Sequence, residues 1–391
     1  VKFAANRQPA EGLGALLLFR LIEDATPSFF DPGRRIVIAR APGRLDVFGG
    51  HAGRGGGASL QVATAEAACA AVQLRTDPLV RVWSPSRAAD RSQRLATGLA
   101  DLGVRADAAP GAYDDTRRFL AADPDDRWAA HLLGALLVLA HERGLRPAVG
   151  FDLLLHSDVP ERCGAASSTA IAVAALYALA NAYGMPLPAA EAATLADRVA
   201  REVVGEVVDA VATRTVVHAR GGSLCAGVDD FTALPDALEL VGIDLGVART
   251  PLGDASPAPA YVEAENARVA RFRALCQTPL DEQVRSELGD LLFAAHRDLA
   301  ALGRGHERSD FVVDLVAQRR AAGGPVLGAK ATGDGGGGTV LLLGEHGKVW
   351  LEALRVKKAL LARTGHSAHV FRWSSPGAAA FEPIELLPTA P

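Results

Sequence analysis

Two glycine-dense segments, Val159–Thr169 (VPERCGAASST) and Gly328–Thr339 (GAKATGDGGGGT), lie far apart in this chain. Glycine takes positive φ without a Cβ penalty, so successive backbone N–H groups can turn toward one anion. A single segment of this kind is an ordinary turn. Two of them, together with an early Ala41-Pro-Gly-Arg-Leu-Asp stretch, point to a nucleotide-phosphate site assembled from separate parts of the chain. At 391 residues the chain is long enough for two domains that share a cleft. The expected division is 1–230 and 231–391, in the loop near Ala226–Leu234 where Gly, Asp and Pro cluster.

Local patterning sets the context of each segment. Val149–Leu155 alternates like a strand and runs through Ser157-Asp-Val-Pro into the first loop. Ala170–Tyr183 then continues Ala-rich and unbroken, which predicts a helix. Strand, loop and helix in that order place a positive helix terminus beside a bound anion. Val326–Ala329 and Thr339–Leu343 read as strands flanking the second loop. Helices are also expected at Glu11–Glu23, Trp128–Arg143, Ala264–Leu275, Asp281–Gly303 and Lys348–Thr364. Ala65–Arg75 and Val207–Val217 fit helix or strand equally well.

Several function classes drop out. A net charge of −4 leaves no electrostatic footprint for nucleic acid or an anionic membrane. No apolar run reaches about 18 residues and no signal-peptide pattern is present, so a cytoplasmic protein is expected. Cys69, Cys163, Cys225 and Cys276 lack CxxC or His-paired spacing, which argues against a disulfide framework or a zinc site.

The segments, in this order, resemble the motifs of the GHMP kinase superfamily, on its arabinokinase and galactokinase branch. Ala41–Gly50 (APGRLDVFGG) with His51 resembles the first motif, Val159–Ala174 the second (PxGxGLSSSA) and Gly328–Thr339 the third (GAKITGGGxGGT). Leu60–Gln73, Gly242–Val247, the His296 segment and Ser374-Ser-Pro-Gly resemble intervening stretches. The resemblance implies an α+β fold of two domains, the first ribosomal protein S5 domain 2-like and the second ferredoxin-like. It implies ATP and Mg²⁺ as cofactors and a monosaccharide such as arabinose or galactose as acceptor. By that resemblance Gly164, Ser167 and Ser168 cradle phosphates, Thr169 opens the helix, and Ser168 is a Mg²⁺ ligand. Gly333, Gly335, Gly337 and Gly338 close on the nucleotide, Arg44 stands near the transferring phosphoryl group, and Asp46 and His51 line the sugar pocket. Each has a plainer alternative: serines capping a helix, glycines in a hairpin, an arginine paired with a structural acid, a surface histidine. Lys330 reads equally well as a surface cation.

The departures from the pattern are as informative as the matches. The branch carries HxDY after the first motif, and those last two positions are Gly53 and Arg54 here. Aligned without gaps, the base aspartate of the branch falls at Ala212, its metal-binding glutamate at Ala200 and the acid of the second-motif helix at Ala172. Arg162 and Ala166 replace a glycine and a serine of the second motif, and Asp334 a glycine of the third. A carboxylate beside a triphosphate is electrostatically awkward unless a cation intervenes. Asp209, three residues before Ala212, is the candidate substitute base, and Glu202 or Glu206 the candidate metal ligand. Loss of general-base assistance costs about 10²–10⁴-fold. Two functions are therefore open: an ATP-dependent sugar kinase, or a kinase fold that binds nucleotide or sugar without turnover.

Overall fold

The computed structural model describes residues 3–6, 13–25, 28–85, 92–206, 210–227, 229–249 and 256–389. Its strands in chain order are β1 (Phe3–Ala5), β2 (Ile36–Phe48), β3 (Leu60–Leu74), β4 (Leu79–Trp83), β5 (Arg94–Gly98) and β6 (Phe151–Ser157). They continue as β7 (Ser223–Gly227), β8 (Asp230–Ala233), β9 (Leu238–Asp244), β10 (Val326–Ala331), β11 (Thr339–Glu345), β12 (Val370–Phe371) and β13 (Ile384–Pro388). One sheet runs β1-β13-β2-β3-β6-β4-β5, with the β7–β8 hairpin joined to β3. The other runs β10-β11-β9-β12. β13 therefore crosses the division expected at residue 230 and returns the chain to the first sheet, against β2.

The Ala-rich stretch that fits either helix or strand is β3, buried along nearly its whole length. A strand covered on both faces loses the period-two signal, because no face needs to be polar. β2 and β3 pair from Val37↔Val72 down to Phe48↔Leu60, with irregularities at Pro42/Arg44 and Asp46/Phe48. The first irregularity follows from the sequence, since proline has no N–H to give the ladder and glycine relaxes the backbone beside it. The amide of Arg44 then donates to the carbonyl of Ala165 in the first glycine loop, at 3.0 Å. A Cβ on Gly43 would lie 2.9 Å from that same Ala165 oxygen, so only glycine lets the strand come this close.

The helix after the loop, Ser167–Ala182, packs on β2 and β3 and on the helix Ala130–Glu142. Its alanines keep these layers close, and Val173, Leu176 and Leu179 fill the core with Phe151, Leu153 and Leu133. In the second sheet β9 and β11 pair from Thr339↔Asp244 to Glu345↔Leu238, and the second glycine loop joins β10 to β11. His296 ties helices to that loop: its Nδ1 accepts the N–H of Ala331 at 3.3 Å and its Nε2 faces Asp310 Oδ1 at 3.1 Å. A ring that accepts at one nitrogen and donates at the other is neutral, in keeping with burial lowering its pKa against the pull of Asp310.

Candidate active site

The two glycine loops meet. Thr339 Oγ1 donates to the carbonyl of Cys163 at 3.0 Å, and the N–H of Arg249 donates to the carbonyl of Arg162 at 3.1 Å. In the first loop, alternate residues Arg162, Gly164 and Ala166 take φ of 63°, 84° and 58°. Left-handed residues at alternate positions are what a backbone anion nest requires. Two of the three carry a Cβ, at a cost of about 1–2 kcal/mol each. Strain of this kind persists where surrounding structure enforces it, and it collects at functional sites. Cys163 within the loop is a packing group, its thiol pushed up to about 11 by burial.

The helix opens at Ser167 with Ala166 as its cap, so Thr169 sits inside the first turn and does not open it. Gly164, Ser168 and Thr169 line a cleft together with Arg44, Asp46 and Gly333. Ser167 and Ser168 line its continuation beside Trp128, Leu155 and Ile171. The two halves form one cleft because Arg54, Gly164, Ala166, Ser168, Glu206 and Arg249 border both. The half beside Trp128, where Leu155 and Ile171 mix with His131, Glu161 and Arg162, is the roomier, about 470 Å³ against about 120 Å³ for the half around Arg44 and Asp46. It suits a flat heterocycle, whereas the polar half suits a hydroxylated acceptor.

Arg44 and Asp46 form an ion pair at the floor of the polar half. Gln61 Nε2 donates to Asp46 Oδ1 at 2.8 Å, and Thr215 Oγ1 donates to Gln61 Oε1 at 2.8 Å. Asp46, Gln61 and Thr215 are all buried, so this chain of hydrogen bonds fixes where the carboxylate and guanidinium point.

The second loop contributes differently from the sequence expectation. Gly333 lines the cleft, but Gly335, Gly337 and Gly338 abut the Arg304 carbonyl, the Val247–Ala248 backbone and the Cys163 carbonyl. Within 333–338, Asp334 is the one residue outside the left-handed region, so this is where a side chain fits in the glycine run. Its carboxylate is not awkward there: Arg249 Nη1 lies at 3.2 Å and Arg54 Nη1 at 3.5 Å. His51 stands behind it with Nδ1 3.8 Å from Asp334 Oδ1, buried beside Tyr261 and with its pKa lowered by that burial. Lys330 is not a surface cation. It is 3% exposed, with Nζ 5.9 Å from the Phe48 ring centre, and burial lowers its pKa against Glu265 and Asp46.

Of the two substitute metal ligands, Glu206 borders both halves of the cleft. It follows Gly205, which ends a wide helical turn at φ 80°, and its N–H bonds the carbonyl of Ala200 at 2.8 Å. The Glu202 carbonyl instead accepts from Arg117 Nε at 3.1 Å. Ala212 lines the polar half, where the alignment puts a base in the branch. Asp209 lies outside the described residues; Glu206 and Ala212, which flank it in the chain, both line the cleft. Among the described residues no cluster of three His, Cys, Asp or Glu side chains is arranged to hold a metal ion. Ser168 and Glu206 on one cleft still fit Mg²⁺, which takes one or two protein oxygens and completes its shell with phosphate and water. Among the described residues no helix is long and apolar enough to cross a membrane.

Arg54, Arg249 and the half of the cleft beside Trp128 escape the sequence reading. Arg54 registers there only as a missing tyrosine, and Arg249 carries no motif. The usable signal was joint departure, because Arg54 and Asp334 both leave the family pattern and pair with each other.

Known proteins place this geometry. A family model described as the GHMP kinases N terminal domain matches residues 130–213. The L-arabinokinase of Arabidopsis thaliana is 27% identical over 91% of this chain and 47% of its own length. A galactokinase of Roseiflexus sp. is 28% identical over 67% of this chain and 60% of its own. This chain thus spans about half the length of these curated relatives. The crystal structure of Lactococcus lactis galactokinase complexed with galactose superposes with a TM-score of 0.68 at 17% identity, covering 92% of this chain and 99% of that one. The architecture expected from the motifs is the mixed α/β fold of these solved kinases.

Proposed function

Since the chain belongs to the GHMP kinase superfamily, we propose that it is an ATP-dependent sugar kinase, transferring the γ-phosphoryl group to a hydroxyl of a monosaccharide. The observation that carries this reading is the single cleft, with a roomier half beside Trp128, the first glycine loop bordering both halves, and the Arg44–Asp46 pair and the second loop's Gly333 and Asp334 lining the other. Purine and ribose occupy the roomier half, the base beside Trp128 and Ile171. The phosphates lie along the nest at residues 162–166 and the helix terminus at Ser167, where backbone N–H groups and the positive end of the helix favour an anion.

Phosphoryl transfer rests mostly on positioning and charge stabilisation. The Arg44 guanidinium is held by Asp46, which is held by Gln61, so it meets charge developing on the transferring group without reorganising. Asp209 takes the acceptor proton, standing in for the carboxylate that Ala212 lacks. Ser168 and Glu206 hold Mg²⁺, which when bound offsets the negative charge of the triphosphate. Gly333 and Asp334, on the loop joining β10 to β11 of the second sheet, close the polar half onto the first.

A second reading, nucleotide or sugar binding without turnover, is favoured by Ala212, whose methyl group faces the cleft where a base is expected. One experiment separates the two. ADP release is followed with ATP, Mg²⁺ and a panel including arabinose and galactose, and ATP affinity is measured by calorimetry. Sugar-dependent ADP release that Asp209→Asn abolishes, with ATP binding retained, supports the kinase. ATP binding without product for any sugar selects the second reading, and no ATP binding removes both.

A further inference from the structure

We propose that Arg54 and Arg249, held apart by Asp334, form a clamp for the terminal phosphate of a nucleoside triphosphate. The inference rests on the kinase reading above and adds to it a grip that the family motifs do not contain. Both guanidiniums border both halves of the cleft. The one group that belongs to both halves during transfer is the phosphoryl passing between them.

Charge supports the assignment. Arg44 is matched by Asp46, whereas Arg54 and Arg249 share the single carboxylate of Asp334. Two guanidiniums facing Asp334 leave one positive charge beside that carboxylate, which the exposed Glu206 on the same border balances until its own carboxylate is taken up by a cation. Each guanidinium presents five donors in a rigid fork, and one nitrogen of each faces Asp334, which leaves donors for phosphate oxygens.

The clamp is built rather than incidental. Asp334 is 6% exposed, and its backbone carbonyl accepts Arg304 Nε at 2.9 Å, so the carboxylate cannot swing away with its loop. The backbone amide of Arg249 is bonded to the first glycine loop at Arg162. A Cβ on Gly333 would stand 3.4 Å from Arg249 Nη1 and 3.5 Å from Asp46 Oδ2, so the clamp and the acceptor-side carboxylate face each other across that glycine. Thr332 Oγ1, buried and without a hydrogen-bond partner, sits 3.9 Å from where a Cβ on Gly164 would be. That buried hydroxyl marks how closely the two loops are packed behind the clamp. Arg54 also explains why the acid of the branch is absent at Gly53: the carboxylate at this corner now comes from residue 334, on the opposite loop.

The test compares ATP with ADP, which differ only by the group the clamp holds. Affinities of the full chain for each are measured by calorimetry, with Mg²⁺ and with EDTA, for the parent, Arg54→Ala, Arg249→Ala and Arg249→Lys. Each alanine variant is expected to lose about 10-fold or more in ATP affinity, the scale of a charge-assisted hydrogen bond, while ADP affinity holds. Arg249→Lys recovers part of the loss, because it restores charge but not the fork. A merely structural role would lower ATP and ADP affinity together, and that result overturns the clamp. ATP affinity indifferent to both arginines overturns the clamp alone, whereas a parent that binds no ATP overturns the kinase reading with it.

Discussion

Replacing Gly50 with alanine should separate the two halves of the catalytic arrangement without unfolding the protein. Gly50 opens the short turn Gly50–Gly53 after β2, and a Cβ there would stand 2.2 Å from the carbonyl oxygen of Gly333, 2.6 Å from its carbon and 2.8 Å from its Cα. Carbon–oxygen contacts seldom close below about 3.3 Å, so roughly 1 Å of displacement must be found. None of it can come from a yielding side chain, because every atom met is backbone of the second glycine loop. Overpacking at such a point costs about 1–3 kcal/mol of stability. A shift of about 1 Å near the reacting atoms costs about 10²-fold in rate. The assay is kcat/KM from sugar-dependent ADP release, read beside thermal unfolding. Gly221→Ala is the control, since its nearest contact would be Pro376 Cδ at 3.9 Å, and it should leave both measurements in place. Unchanged kcat/KM in Gly50→Ala would falsify the claim that this contact sets the geometry of the cleft.

Two further outcomes follow from buried polar groups. Gln61→Leu removes the 2.8 Å hydrogen bond to Asp46 and should cost about 1–3 kcal/mol in stability, with a rise in KM for the acceptor sugar; a variant matching the parent in both would show that the Asp46 carboxylate is positioned by other means. Burial lowers the pKa of His296, His51 and His218 below the ordinary 6.5. Each therefore binds protons more readily unfolded than folded, so the stability it contributes is whole above about pH 6.5 and drains away as pH falls below it. The unfolding temperature should drop between about pH 7 and 5, less steeply in His296→Gln; equal slopes for parent and variant would exclude His296 as a contributor.

Much of the cleft could be read before any coordinates. The order of strand, glycine loop and helix at 149–183 predicts a positive-φ turn leading into a helix, and Gly164 at φ 84° with a helix start at Ser167 on the cleft supplies both. Lys348–Thr364 matches the helix residue for residue, because one exposed face and a glycine stop at 365 mark its ends. β3 was ambiguous because small buried residues erase both periodicities. Lys330 misled because a lone lysine in a glycine-rich motif gives no sign of the Phe48 ring and buried acids around it. Arg249 was invisible because what defines it, a backbone bond to residue 162 and a carboxylate at 334, is long-range. Local pattern identified the two loops that meet at the cleft. It could not tell which cations from elsewhere in the chain would gather there.

The return of β13 to the first sheet limits how the protein can move. Residues 238–371 hold the second sheet, and the polypeptide enters that region from β8 and leaves it toward β13. The exit is pinned at once, since Trp373 bridges to Thr64 and the Arg372 carbonyl accepts the Ala65 N–H at 2.8 Å. A lobe tethered at both its entrance and its exit cannot swing freely as a bead on a single thread does. It also shares a core with the first sheet, since Leu240, Leu341 and Leu343 belong to the same buried cluster as Leu45 and Phe48, and that anchoring is what holds Asp334 in one place against Arg54.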